Sequence, residues 1–286
     1  MNASPWTDLG DGVRVRQSRL YAMNSTALLA REHTVLVDPG VLPSELDDIA
    51  VAVNALAPGH VTLVLTHAHW DHVLGRAWWP AAPVIAHARF AEALERDEAK
   101  VFREARTAAE SCGEEWDDPI EPFRPNIAAR GEWQGALGPW TLVLRDAFGH
   151  AEHQMSVHLP EAKLLIAADM LSDIELPILN GGCAPYRETL NRLLPVLEAG
   201  EIDTLIPGHG AIARGQEIRA RLLDDLAYLD ALEDAVRAAH DADRTLEQTQ
   251  AAFPTPERPR VPKGSMDNVH RRNLAFTWEA LGRSAA

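Results

Sequence analysis

Short apolar runs recur along the chain, and five of them are followed directly by a histidine or an aspartate. The runs TVLV, VTLVLT, WTLVLRDAFG, KLLIAA and IDTLIPG directly precede Asp38, His67, His150, Asp169 and His209. Their length and their content of β-branched residues predict buried strands. Loops that follow strand ends carry functional side chains on a rigid scaffold. The recurring pattern therefore predicts a cluster of His and Asp side chains at one edge of the strands.

Residues 13–18 alternate between apolar and polar side chains, which predicts an edge or half-buried strand.

Between the apolar runs, the spacing of apolar residues is typical of amphipathic helices. Pro43 and Ser44 are helix start signals, as is Pro185. The predicted helices cover residues 43–56, 88–110, 185–199, 215–240 and about 266–281. The fold class that we expect is α/β (α+β).

The domain organisation follows from where the strand rhythm stops. Residues 88–135 interrupt it with a helix and an irregular segment, which predicts an insertion that either shapes a substrate pocket or only packs. We predict a core over residues 1–215 and a helical extension, packed on that core, over residues 216–286. The Pro-rich stretch at 253–262 is interpreted as a surface connection, because too few residues follow it to form another core.

Composition excludes several classes of protein. With 27 basic and 42 acidic residues the formal net charge is −15, which disfavours nucleic acids and anionic membranes as partners. No apolar run reaches the length of a membrane span, and the N-terminus has no signal-peptide pattern. Cys112 and Cys183 are too few for a disulfide framework. We therefore expect a cytoplasmic protein with a small-molecule substrate; the sequence leaves the oligomeric state open, a homodimer included.

The densest chemical signal is the segment Thr66-His67-Ala68-His69-Trp70-Asp71-His72. Zinc prefers imidazole nitrogen and carboxylate oxygen as ligands. His67 and His69 leave a strand two residues apart and can point the same way, since side chains on extended backbone repeat every two residues. Asp71 and His72 come where the chain turns into the next element, so they can address a second ion. A solvated, His-rich loop is the alternative interpretation.

Three further residues complete the predicted ligand set. His150 is preferred over His153 because it lies nearer its strand end. Asp169 ends an apolar strand, where a buried carboxylate needs a partner, and its two oxygens could bridge two ions. A helix N-cap is the alternative role for Asp169. His209 has glycines on both sides, as strand-to-loop ligand positions require.

In this order the residues resemble the metallo-β-lactamase superfamily over residues 13 to about 215. The resemblance implies a four-layer αββα sandwich and two divalent metal ions, with zinc as the first candidate and iron or manganese as the alternatives. It implies that His67, His69 and His150 hold one ion and that Asp71, His72 and His209 hold the other. Asp169 would bridge them, and Asp38 would support the site from outside.

The resemblance also implies an activity. Two ions that share a bridging hydroxide would make the protein a hydrolase of an ester, thioester, lactone or amide carbonyl. By the same resemblance Asp71 is a catalytic candidate, passing a proton to the leaving group. The alternatives are a sulfur-oxidising, iron-dependent oxidoreductase on the same ligands and a non-catalytic metal-binding module.

The other polar candidates are interpreted as structural. Cys183 is expected to be a packed thiol rather than a catalytic one. A C-terminal cluster could reach a substrate carboxylate, although a solvated helix face is the preferred interpretation; its members are Asn268, His270, Arg271, Arg272 and Asn273. Seven histidines are left as structural or surface residues: His33, His60, His87, His153, His158, His240 and His270.

Overall fold

A computed structural model describes residues 6–56, 59–116, 121–257 and 264–283. The strands in this part of the chain are β1 Trp6–Gly10, β2 Val13–Gln17, β3 Asn24–Leu29, β4 His33–Val37, β5 His60–Val64, β6 Val84–His87, β7 Ile127–Ala129, β8 Glu132–Leu137, β9 Trp140–Asp146, β10 Met155–Leu159, β11 Leu164–Ile166, β12 Thr204–Ile206 and β13 Ala213–Arg214. The α-helices are α1 Pro43–Leu56, α2 Trp70–Val73, α3 Phe90–Ser111, α4 Cys183–Glu198, α5 Gln216–Asp241, α6 Leu246–Ala252 and α7 Asp267–Arg283.

The chain divides into two compact units. One comprises residues 1–146 and 153–168, and the other comprises residues 147–152 and 169–286. This division differs from the predicted core over 1–215 and extension over 216–286, which stays a prediction.

The first unit contains a seven-stranded sheet with the strand order β1-β2-β3-β4-β5-β6-β7. The first four strands pair antiparallel, and the pairs from β4 to β7 are parallel. Val37 and Val64 are register partners, so β4 and β5 end side by side. Because parallel strands are covered on both faces, their sequences are almost continuously apolar. The residues that follow β4 and β5, Asp38 and Thr66 among them, therefore emerge at one edge of this sheet.

Helix α1 begins at Pro43 and ends at Leu56, as predicted. A proline suits the first turn because its missing N–H would have no partner there. Leu46, Ile49 and Val53 lie on one face of the helix and belong to the same buried cluster as Leu36 of β4. Burial of each such side chain contributes on the order of 1.5–3 kcal/mol. Packing of this face fixes the helix beside the sheet and leaves the strand ends to carry the site.

Strands β8 to β11 of the first unit form a consecutive antiparallel array. The sequence predicted an irregular segment up to residue 135, whereas β7 and β8 occupy its second half. Strand β7 has three residues, and the residues of β8 alternate between exposed and half-buried without a strongly apolar face. Their hydrophobic signal is therefore weak. Residues 117–120 of the same predicted segment lie outside the described residues.

In the second unit, α5 packs against α4 and α7, and β12 pairs antiparallel with β13. Ile218, Leu222 and Leu229 of α5 are buried, as their helical spacing predicts. Helix α6 is absent from the sequence predictions. It begins with a capping box in which Thr245 and Gln248 satisfy each other's backbone N–H groups, and this Thr-x-x-Gln pattern is the signal that would have found it.

The described helices include none that combines the length and the apolar character needed to cross a bilayer. Of the predicted Pro-rich connection at 253–262, residues 258–262 lie outside the described part of the chain, and residues 254–257 are irregular.

Candidate metal centre

Asp38 organises the candidate ligands of the first unit. It is buried and follows β4 with a φ of 46°, in the left-handed region that non-glycine residues rarely adopt. Its Oδ1 accepts a hydrogen bond from the backbone N of Thr66 at 2.8 Å. Its Oδ2 accepts from Thr66 Oγ1 at 2.5 Å and from His72 Nδ1 at 2.8 Å. The strained backbone is thus held by three donors from the segment that carries the candidate ligands.

These hydrogen bonds fix which nitrogen of each histidine remains for a ligand. The Thr66 hydroxyl donates a hydrogen bond to Asp38, so its oxygen can accept a hydrogen bond from His67 Nδ1, which lies 3.1 Å away. His72 Nδ1 donates to Asp38 directly. In both residues Nδ1 then carries the proton and Nε2 keeps its lone pair. A carboxylate behind the imidazole is the usual support of a metal-binding histidine, so the expected role of Asp38 has a geometric basis.

The other motif residues lie close to these two rings. The ring centroid of His67 is 4.5 Å from that of His69 and 4.1 Å from that of His72. Asp71 and His72 are in the first turn of the short helix α2, where the chain turns after the extended residue His69. Burial of His67, Asp71 and His72 contradicts the alternative of a solvated, His-rich loop.

In the second unit, Asp169 lies between two histidines. Its Oδ2 is 3.2 Å from His150 Nε2, and its Oδ1 is 3.5 Å from His209 Nε2. The side chains of all three residues are at most 7% exposed. Each carboxylate oxygen therefore faces a different imidazole.

The backbone on both sides of Asp169 is strained. Ala168 has a φ of 51° and Leu171 a φ of 60°, and left-handed residues of this kind cost about 1–3 kcal/mol each. Asp169 lies three residues beyond the end of β11, and the next helix, α4, begins at Cys183 with Gly182 as its N-cap. The alternative role of Asp169 as a helix N-cap is therefore wrong.

Glycines allow the close approaches in these ligand loops. Gly149 has a φ of 133°, and a Cβ atom there would lie 2.4 Å from the Tyr186 Cα. Gly210 has a φ of 99°, and a Cβ atom there would lie 2.2 Å from Asp173 Oδ1. A side chain at either position would displace the backbone next to His150 or His209.

His153, the rival of His150, is buried in the first unit. Its ring centroid is 6.4 Å from that of His67 and 6.1 Å from that of His69. It is near the motif, but it does not belong to the groups of described His and Asp residues that could hold a metal ion.

All seven predicted ligands belong to such groups. In the first unit these are His67, His69, Asp71 and His72, and in the second unit they are His150, Asp169 and His209. The donor set consists of imidazole nitrogens and carboxylate oxygens that are largely buried; Asp38 supports His72 directly and His67 through Thr66. This set fits a transition metal such as zinc, because soft thiolates are absent from these groups and hard oxygen ligands are in the minority.

The sequence analysis missed the role of helix α7 within the second unit. Asn273 is fully buried; its Nδ2 donates to the Pro177 carbonyl at 2.6 Å, and its Oδ1 accepts from the Leu179 backbone N at 3.0 Å. His270 is also buried, and burial lowers its pKa so that it is neutral. Its Nε2 donates to the Phe253 carbonyl at 2.9 Å. The predicted solvated face is therefore wrong for both residues, whereas Asn268, Arg271 and Arg272 of the same cluster are exposed. Asn273 instead fastens the segment between Asp169 and α4.

Cys183 is a packed thiol, as expected. It is buried, its Sγ lies 3.4 Å from Thr277 Oγ1, and burial raises its pKa to about 11. Because the thiolate is the reactive form, we expect a thiol reagent at pH 8 to label the half-buried Cys112 in the native protein and Cys183 only after unfolding. Cys112→Ser should remove the fast phase of labelling. A fast phase that survives in this variant would show that Cys183 is accessible.

Comparisons with known proteins bear on this geometry. A family model described as the metallo-beta-lactamase superfamily matches residues 20–240. A search of curated proteins found no significant match. Among solved structures, the stereoselective inverting sec-alkylsulfatase Pisa1 from Pseudomonas sp. and a double mutant of it each show a TM-score of 0.71 at 16% identity, over 97% of this chain and 50% of theirs. A metallo-beta-lactamase from Pontibacter korlensis shows a TM-score of 0.55 at 14% identity, over 78% of this chain and 98% of its own.

This chain therefore spans about half the length of the sec-alkylsulfatase structures that it matches. At such low identity the likeness concerns the fold alone. Together with the family match it confirms the predicted fold class, a mixed α/β fold of the metallo-β-lactamase type.

Proposed function

This chain belongs to the metallo-β-lactamase superfamily, and we propose that it is a hydrolase that uses two bound metal ions, most simply zinc. Its substrate is a small molecule with an ester, thioester, lactone or amide carbonyl. Cytoplasmic location is part of the same proposal.

In the proposed arrangement, His67, His69 and His150 hold one ion. Asp71, His72 and His209 hold the other, and Asp169 bridges the two. Support comes from the donor atoms that each unit presents. In the first unit the hydrogen bonds of His67 and His72 leave Nε2 as the ligand atom. In the second unit the two oxygens of Asp169 are directed to different imidazoles.

The proposed ions would supply a water molecule of lowered pKa and would polarise the carbonyl of the substrate. The residues of the chain do the rest. Asp38 keeps His72 in one tautomer and one orientation. Asp71 is placed in the first turn of α2 with one oxygen 3.9 Å from His72 Nε2, and we assign it the transfer of a proton to the leaving group. Since the seven ligands are committed to metal, none of their imidazoles serves as a free general base.

The observation that carries this proposal is the position of Asp169 between His150 and His209, with one carboxylate oxygen toward each ring. This placement brings one carboxylate oxygen to a proposed ligand of each ion, which supports the bridging role.

The test combines metal analysis with a hydrolysis screen. Protein purified without chelator and supplemented with zinc should contain close to two transition-metal ions per chain. The screen covers lactones, thioesters, β-lactams, phosphodiesters and, because of the name of the structural relative, sec-alkyl sulfates. We expect turnover of at least one carbonyl substrate by the metal-loaded protein and its loss after treatment with a chelator.

Other outcomes of this test have defined meanings. Less than half an ion per chain after supplementation would contradict the metal assignment. Iron instead of zinc, with no hydrolysis, would favour an oxidoreductase. Two zinc ions with turnover of sulfate esters alone would retain the hydrolase and replace the carbonyl substrate.

A further inference from the structure

We propose that Arg221 is a positioning residue that holds the loops after Asp169 and His209 in the arrangement that metal binding requires. The inference rests on the proposed function, because these two residues are assigned above as ligands. Arg221 and both loops belong to the second unit.

Arg221 lies in α5 and is 8% exposed. Its Nη1 donates to the Ala211 carbonyl at 2.8 Å and to the Leu171 carbonyl at 3.2 Å. Each carbonyl belongs to the residue two positions after a proposed ligand, Leu171 after Asp169 and Ala211 after His209. One guanidinium nitrogen thus ties together the backbones of two ligand loops that are distant in sequence.

Asp173 connects the same two loops a second time. Its Oδ1 accepts a hydrogen bond from the backbone N of Ala211 at 2.7 Å and lies 3.8 Å from Arg221 Nη1. The approach is so close that Gly210 has no room for a Cβ atom. The carboxylate from the first loop and the guanidinium therefore hold Ala211 through its N–H and its carbonyl.

The strained backbone of Leu171 indicates that the hydrogen bond from Arg221 to the Leu171 carbonyl does more than pack the two residues together. A non-glycine residue with a φ of 60° persists only where its surroundings determine its conformation, and Arg221 holds its carbonyl. Asp173 and Glu217 balance the buried positive charge, the latter through a hydrogen bond of 2.7 Å from Arg221 Nη2. An arginine presents these donors in one fixed plane, which a lysine reproduces only in part.

The experiment measures zinc affinity directly, by competition with a chromophoric chelator, in variants whose fold is checked by circular dichroism. Arg221→Met keeps an apolar stem and removes every donor. We expect it to bind Zn²⁺ roughly 10- to 100-fold more weakly than the wild type, the range typical of residues that support metal ligands. Arg221→Lys should restore part of this loss. Arg219→Met is the matched control, since Arg219 is in the same helix, is 53% exposed and should leave zinc affinity unchanged.

Each remaining outcome is decisive. A folded Arg221→Met protein with wild-type zinc affinity overturns the inference, even if its melting temperature falls, because a merely structural residue behaves in this way. If Arg221→Met does not fold, Arg221→Lys decides by the same criterion. If the wild-type chain binds no zinc, the proposed function fails first and this inference with it. If the wild type and the folded Arg221 variants bind zinc equally well, the inference about Arg221 fails and the proposed function stands.

Discussion

His150→Ala should remove one metal ion and reduce hydrolysis by at least about a hundredfold, because even the outer partners of metal ligands are worth 10- to 100-fold. His150 is buried, and its Nε2 faces Asp169 at 3.2 Å. Loss of this imidazole would leave the proposed first ion with His67, His69 and the bridge. Metal content by mass spectrometry and turnover of a substrate from the screen are the two measurements.

His153→Ala is the matched control, since the two histidines are three residues apart in one short segment. The ring centroid of His153 lies 6.4 Å from that of His67, and we expect its loss to leave metal content near the wild-type value. A protein in which His153 is required for metal and His150 is not would move the ligand by three residues. It would also remove the proposed role of the His150–Asp169 pair.

Long, strongly patterned elements are the part of the fold that the sequence predicted well. The buried residues of α1 and α5 recur with helical spacing, and the buried residues of the central parallel strands β4 and β5 are apolar except for Thr34 and Thr62. Strands β7 and β8 were not predicted, because their pairing partners stabilise them more than their own composition does. A residue pattern cannot show that β6, which comes 40 residues earlier, supplies the partner for β7.

The candidate site likewise has features that the sequence predicts and features that it does not. Donor types are visible in the sequence, since His67-x-His69-x-Asp71-His72 is dense enough to need a reason. The hydrogen bonds that position those donors are not visible in the sequence. Nothing in the spacing shows that the Thr66 hydroxyl donates a hydrogen bond to Asp38, or that Arg221 reaches the carbonyls of Leu171 and Ala211. These contacts depend on backbone geometry, and Asn273 was misjudged for the same reason.

Asp169→Asn should cost the protein at least one metal ion while the fold persists. The substitution keeps the shape of the side chain and removes one of only two carboxylates in the proposed ligand set, the other being Asp71. Two dications bring four positive charges to a site whose imidazoles must be neutral to bind. In this variant a single negative charge would remain to offset them, and the new amide would offer one good donor oxygen instead of two.

The comparison that isolates this effect is Asp234→Asn, the same chemical change at a carboxylate that is 80% exposed on α5. Both variants should give the wild-type circular dichroism spectrum, and only Asp169→Asn should lose metal and hydrolysis. With the wild-type spectrum retained, a lost ion would reflect the missing charge and oxygen rather than an unfolded chain. An Asp169→Asn protein that retained both ions would show that no bridge exists at this position, and the two ions would have to act independently.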